Sequence, residues 1–270
     1  MIHDTIQLTN TDATLTALCF PPMFDKMKIT KRRAIIVCPG GGYGFCSDRE
    51  AEPIATSFLA AGFATFVLRY SVKENAANYQ PIKEVALAVK YVREHAENYN
   101  VDPAYVFTCG FSAGGHLAAS AGVLWNDPVV REVLGDAPSG INRPTGMILA
   151  YPVITAGEWA HKGTIANLCG TKEYTKEQGD RFSLELHVDE TTCPAFIWHT
   201  FADNCVPVQN SLLMAEAMTK AKVPFELHIF PEGKHGLSLC NELVGTPLPH
   251  NACWIELAVR WAQELTVTQE

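Results

Sequence analysis

Short apolar runs alternate with amphipathic stretches along most of this chain, and that alternation fixes its layer architecture. The apolar runs are AIIVC at 34–38, FATFVL at 63–68, AYVFTC at 104–109, GMILAY at 146–151, AFIWH at 195–199 and FELHIF at 225–230. Runs of five or six residues, rich in β-branched and aromatic types and bounded by Gly or Pro, read as strands buried on both faces. The stretches 50–61, 81–97, 113–125, 208–222 and 251–265 read as helices. In 81–97, for example, Ile82, Val85, Ala86, Val89 and Val92 recur at three- and four-residue spacing. Strand–helix alternation predicts an α/β fold with a mostly parallel central sheet and helices on both faces. Residues 4–20 alternate instead and predict an antiparallel edge hairpin.

Residues 153–193 break the rhythm, with few strand signals and many polar residues. They are too few for a core of their own. The expectation is therefore a single domain over 1–270, with 153–193 a lid or cap over one end of the sheet. The 47% of apolar residues supply ample core material. A net charge of −8 argues against nucleic acid and against an anionic membrane surface as partners. No run of about 18 apolar residues spans a membrane. The nine cysteines form no C-x-x-C, several lie inside apolar runs, and no H-E-x-x-H occurs. This is the usage of a reducing compartment, with no metal site expected. The opening MIHDTIQLTNTDATL lacks the features of a secretory signal. Together these features predict a cytoplasmic chain; a homo-oligomer is compatible with the sequence.

Gly110-Phe111-Ser112-Ala113-Gly114 is a G-x-S-x-G that directly follows one predicted strand and opens a helix. A strand–turn–helix of this kind projects Ser112 clear of the sheet edge, as a nucleophile elbow does. A serine hydroxyl is a poor nucleophile at neutral pH and needs a base, which in turn needs an orienting group. The acid is expected after a late strand and the histidine after the last one. Asp203, in FADNCVPV after the strand AFIWHT, fits the acid. Asp189 and Glu190 precede that strand instead. His235, in FPEGKHG after FELHIF, fits the base. Of the other histidines, His116 falls in the sheet–helix interface by period and His199 ends a strand. Pro39-Gly40-Gly41-Gly42-Tyr43-Gly44 follows the strand AIIVC. Attack on an acyl carbon puts charge on the carbonyl oxygen, which needs backbone N–H donors held in advance. Gly41, Gly42 and Ala113 are the expected donors.

The blocks PGGGYG, SDREAEPIATSF, GFSAGGHLAAS, AYPVI, WHTFADNCVPVQNSL and VPFELHIFPEGKHGLSL resemble the α/β-hydrolase esterases related to acetyl esterases and acetylxylan esterases. The resemblance runs from about residue 34 to 262. It implies an α/β-hydrolase fold, Ser112 as nucleophile, Asp203 as acid, His235 as base and Gly41, Gly42 and Ala113 as oxyanion donors. Two departures stand out: Pro39 where relatives often have His, and Ala202-Asp203 where many have two acids. The implied substrates are short-chain acyl esters, with acetyl groups on xylan-derived sugars foremost, and no metal or organic cofactor is expected. Two other readings are a peptidase or amidase on the same triad, and a non-catalytic ligand-binding hydrolase shell. The first conflicts with the lack of room for a large extra domain, the second with the presence of every triad member.

Overall fold

The computed structural model describes residues 1–21 and 31–266. Its eight strands are β1 (Ile2–Gln7), β2 (Thr14–Cys19), β3 (Arg32–Cys38), β4 (Ala64–Arg69), β5 (Val101–Phe111), β6 (Gly146–Ala150), β7 (Ala195–Thr200) and β8 (Phe225–Phe230). The helices are α1 (Glu52–Ala60), α2 (Gln80–Glu94), α3 (Ala113–Val123), α4 (Pro128–Leu134), α5 (Lys162–Cys169), α6 (Lys176–Asp180), α7 (Gln209–Ala221), α8 (Pro249–Ala252) and α9 (Trp254–Glu264). The strands form one sheet in the order β1-β2-β4-β3-β5-β6-β7-β8. The hairpin β1–β2 joins β4 antiparallel, and every pair from β4 across to β8 is parallel.

Successive strand residues point to opposite faces, and both faces are covered. Ala34, Ile36, Met147, Leu149 and Ile197 enter one core with residues of α2, α3 and α7. Ile35, Val37, Ile148, Phe196 and Trp198 enter a second core with residues of α1 and α9. This double burial is why these strands appear in the sequence as unbroken apolar runs.

α3 lies flat on the sheet because its contact face is made of small residues. A side chain at Gly114 would strike the carbonyls of Cys38 and Pro39. Two helical readings shift in detail. The stretch 50–61 becomes a 3₁₀ turn, Asp48–Glu50, followed by α1. The stretch 251–265 becomes the one-turn α8 and then α9, divided at Cys253. Residues 153–193 hold α5, α6 and a 3₁₀ turn, and place Ile165, Leu168, Phe182 and Leu184 in the first core. No helix of the described residues is long and apolar enough to cross a membrane.

Candidate active site

The C-terminal ends of the parallel strands carry the site, the usual position in an open α/β sheet. Ser112 occupies the turn between β5 and α3 with φ 55° and ψ −118°, a left-handed conformation that costs energy for any residue with a side chain. The turn is held from both sides. The Ser112 N–H donates to the Ala150 carbonyl at 3.0 Å, and its carbonyl accepts from the Val153 and His116 amides at 3.0 and 3.1 Å. Gly110 is required at the strand end, because a Cβ there would lie 1.9 Å from the Gly114 carbonyl oxygen.

The structure brings together the three side chains singled out by the sequence. Ser112 Oγ lies 2.8 Å from His235 Nε2, and His235 Nδ1 lies 2.7 Å from Asp203 Oδ2. Asp203 Oδ1 accepts from the Cys205 and Val206 amides, both at 2.9 Å. Burial raises the Asp203 pKa. The hydrogen bonds from His199, His235 and the Cys205 amide outweigh it and hold the carboxyl well below the usual range. With Asp203 charged, His235 keeps its proton on Nδ1 and leaves Nε2 free to accept from Ser112. Asp189 instead caps a turn, accepting from the Thr191 amide at 2.8 Å.

Gly41 and Gly42 follow the clamped Gly40 peptide, at φ 126° and 64°. Among the described residues, the amides of Gly41, Gly42 and Ala113 donate no hydrogen bond to another protein group. They are therefore available to a substrate oxygen.

Four residues that sequence spacing did not single out complete the surroundings. His199 is fully buried; its Nε2 donates to the Val206 carbonyl at 2.9 Å and lies 3.4 Å from Asp203 Oδ2. Its Nδ1 bonds to Ser211 Oγ at 2.7 Å. Asn210 accepts from the Ile154 and Thr155 amides and donates to the Trp159 carbonyl, so α7 pins the start of the 153–193 segment. Within that segment His161, bonded to Thr164 Oγ1 at 2.7 Å, stands beside Gly42. Burial, and then the nearby His235, push its pKa down. Buried Tyr151 packs edge-on against His235 at 5.1 Å between ring centroids. The contacts of Asn210 and Tyr151 join segments far apart in the chain, while His161 and His199 bond to residues nearby in sequence and no motif marks them.

His116, expected in the sheet–helix interface, is buried there. Its Nε2–H donates to the Phe182 carbonyl at 2.9 Å, so Nδ1 accepts the Tyr43 hydroxyl proton at 3.0 Å. This links the glycine loop, α3 and the 153–193 segment. Burial lowers the His116 pKa from 6.5 to about 4. The unfolded chain then binds one more proton than the folded chain between those values, so stability falls as pH drops through that window and is fully present above it. The expected loss is about 3 kcal/mol by pH 4. Thermal melts of the parent and His116→Gln proteins at pH 7 and pH 4.5 test this. The variant should show the smaller acid-side fall in Tm, and equal falls would discount His116.

Comparison with known proteins fits this geometry. The BD-FAE family model matches residues 23–218. Endo-1,4-beta-xylanase B of Butyrivibrio fibrisolvens is 39% identical over 78% of this chain and 33% of its own length. The acetylxylan esterase of Xylanibacter ruminicola is 32% identical over 76% of this chain and 41% of its own. The chain thus spans well under half of these curated relatives. Among solved structures, the acetyl ester-xyloside bifunctional hydrolase from Caldicellulosiruptor lactoaceticus superposes with a TM-score of 0.83 at 32% identity, over 96% of this chain and 95% of that one. With a parallel sheet presenting Ser112 at a strand–helix turn, the chain belongs to the BD-FAE family and has the α/β-hydrolase fold.

Proposed function

We propose that the chain removes short acyl groups, acetyl foremost, from xylan-derived sugars through an acyl-enzyme on Ser112. The observation that carries this reading is the hydrogen-bonded line Ser112–His235–Asp203 beside three unengaged amides. In the first step Ser112 Oγ attacks the ester carbonyl carbon while His235 Nε2 takes the hydroxyl proton. The carbonyl oxygen gains charge and is met by the amides of Gly41, Gly42 and Ala113. The C–O bond to the sugar then breaks, and the sugar oxygen leaves with the proton from His235. In the second step water attacks the acetyl-Ser112 carbonyl and gives a proton to His235. The bond from the acyl carbon to Ser112 Oγ then breaks, the serine oxygen takes that proton back from His235, and acetic acid leaves and ionises to acetate. Asp203 holds the imidazole tautomer and stabilises the imidazolium.

The sugar assignment draws on the xylan-related names of the relatives. It also draws on where exposed aromatic rings fall. Phe45, Trp159 and Phe201 are 61%, 37% and 73% exposed; Phe45 follows the glycine loop, Phe201 precedes Asp203 in its loop, and Trp159 lies on the 153–193 segment. The Phe45 ring lies against Gly41. Exposed rings offer flat apolar faces suited to pyranose stacking. A groove of about 640 Å³, lined in part by Lys73, Asn167 and Lys172, reaches the glycine loop at Gly44. In this reading the whole chain is one unit and 153–193 caps the site.

Hydrolysis of p-nitrophenyl acetate, butyrate and octanoate, with acetate release from acetylated xylo-oligosaccharides and Ser112→Ala as blank, tests the proposal. Turnover of the acetate and of the oligosaccharides is expected, with octanoate slow. Synthetic-ester turnover without acetate release from the oligosaccharides would overturn the sugar assignment, and silence on all substrates would overturn the esterase mechanism. Trp159→Ala is expected to raise KM for the oligosaccharide roughly three- to tenfold while leaving p-nitrophenyl acetate within about twofold. Equal effects on both substrates would exclude sugar stacking at Trp159.

A further inference from the structure

Glu50 is a carboxylate only 2% exposed, lying next to the proposed oxyanion loop. Among the described residues it has no Lys, Arg or His within ion-pair distance. A buried carboxylate is costly unless hydrogen bonds satisfy it, and here the donors come from two separate parts of the site. Oε2 accepts from the Gly40 amide at 3.0 Å, and Oε1 accepts from the Tyr151 hydroxyl at 2.7 Å. The Tyr151 oxygen in turn accepts from the Ser238 amide at 2.8 Å, three residues past His235. The same turn is tied to that loop a second time, because Ser238 Oγ donates to the Arg49 carbonyl at 2.5 Å.

The Gly40 peptide is fixed at both ends. Its N–H goes to Glu50, and its carbonyl accepts from the Ser47 amide at 3.0 Å. A Cβ on Gly40 would lie 2.5 Å from Glu50 Oε2 and 3.3 Å from Ser112 Cβ. The carboxylate is thus separated from the nucleophile by little more than the space of one methyl group. Gly41 and Gly42, with their unengaged amides, follow at once.

We infer that Glu50 is a positioning residue: through Gly40 on one side and Tyr151–Ser238 on the other, it sets the oxyanion amides relative to His235. This rests on the mechanism proposed above. Glu50 donates nothing to substrate; it acts through the two loops. Glutamine cannot replace it, because both partners are donors. With its oxygen on Gly40, the amide NH₂ faces the Tyr151 oxygen, which already accepts from Ser238, and the tyrosine proton loses its acceptor. With its oxygen on Tyr151, the NH₂ faces the Gly40 N–H.

The test uses Glu50→Gln, Tyr151→Phe and the double variant on p-nitrophenyl acetate below their melting temperatures. Since oxyanion contacts strengthen only as the transition state forms, kcat should fall roughly 10- to 100-fold with KM within about threefold. The double variant should lose no more than the worse single one, because the two side chains act as one strut. Unchanged kcat in a folded Glu50→Gln protein, or losses that multiply, would overturn the inference. Amide hydrogen exchange provides a second readout, independent of turnover. Segments 40–47 and 235–240 should both exchange faster in Glu50→Gln, and exchange confined to 40–47 would refute the coupling. Parent activity that Ser112→Ala abolishes but Glu50→Gln leaves intact defeats this inference alone; a parent without activity defeats the mechanism it rests on.

Discussion

Replacing Ser112 with alanine is expected to lower kcat for p-nitrophenyl acetate by roughly 10⁴- to 10⁶-fold while leaving the fold in place. The backbone at Ser112 is already in a left-handed conformation, and alanine meets the same strain as serine. The turn is held by the main-chain bonds to Ala150, Val153 and His116, none of which uses the hydroxyl. The one side-chain bond lost is to His235, which is itself partly exposed. Stability should therefore change by less than about 1 kcal/mol. What disappears is the nucleophile, and with it the acyl-enzyme. In the proposed mechanism the amides of Gly41, Gly42 and Ala113 remain, and residual turnover above the solvent rate is expected from them. Ser238 offers no substitute, since its hydroxyl is committed to the Arg49 carbonyl. A fluorophosphonate probe should label the parent at Ser112 and leave the variant unlabelled. Turnover within tenfold of the parent, or labelling at another residue, would refute the nucleophile assignment.

The strands were legible because each is buried on two faces or bounded by turn residues. AIIVC and AFIWH have no exposed position. FELHIF was readable as well, although β8 is an edge strand and half-buried along most of its length. The strand order was not readable, because β4 inserts between β2 and β3 through contacts that no local pattern encodes. α4 went unread because it is only seven residues long, although Asp127 and Pro128 mark its start. Ser112, Asp203 and His235 were findable because each follows a strand, so chain order and sheet geometry together specify their places. Glu50 and Tyr151 meet across 101 residues of sequence. In the sequence Glu50 is one more acid in an acidic helix start, and only the 3₁₀ turn before α1 aims it inward.

Asp203→Asn is expected to cost roughly 10³- to 10⁴-fold in kcat at neutral pH, second only to loss of the nucleophile. The carboxylate accepts three hydrogen bonds, from the Cys205 and Val206 amides on Oδ1 and from His235 on Oδ2, and His199 Nε2 stands 3.4 Å from Oδ2. Asparagine keeps one oxygen. If that oxygen stays on the two backbone amides, its NH₂ faces His235 Nδ1, and the imidazole must place its proton on Nε2. That proton then points at Ser112 Oγ, so the base can no longer accept from the nucleophile. If the amide flips, two backbone donors lose their acceptor instead. Either arrangement also removes the charge that stabilises the imidazolium. The expected signature is a fall in kcat that recovers in part at high pH, where hydroxide does the work of the missing base. A stability effect accompanies it. Because the folded carboxyl ionises below its unfolded value of about 3.9, Asp203 stabilises the fold above that pH, and the contribution is lost on further acidification. The asparagine protein should therefore melt lower than the parent at pH 7, with the gap closing toward pH 3. An asparagine variant with more than a tenth of parental kcat at pH 7 would show that His235 is oriented without Asp203. The acid would then have to be sought elsewhere around the imidazole.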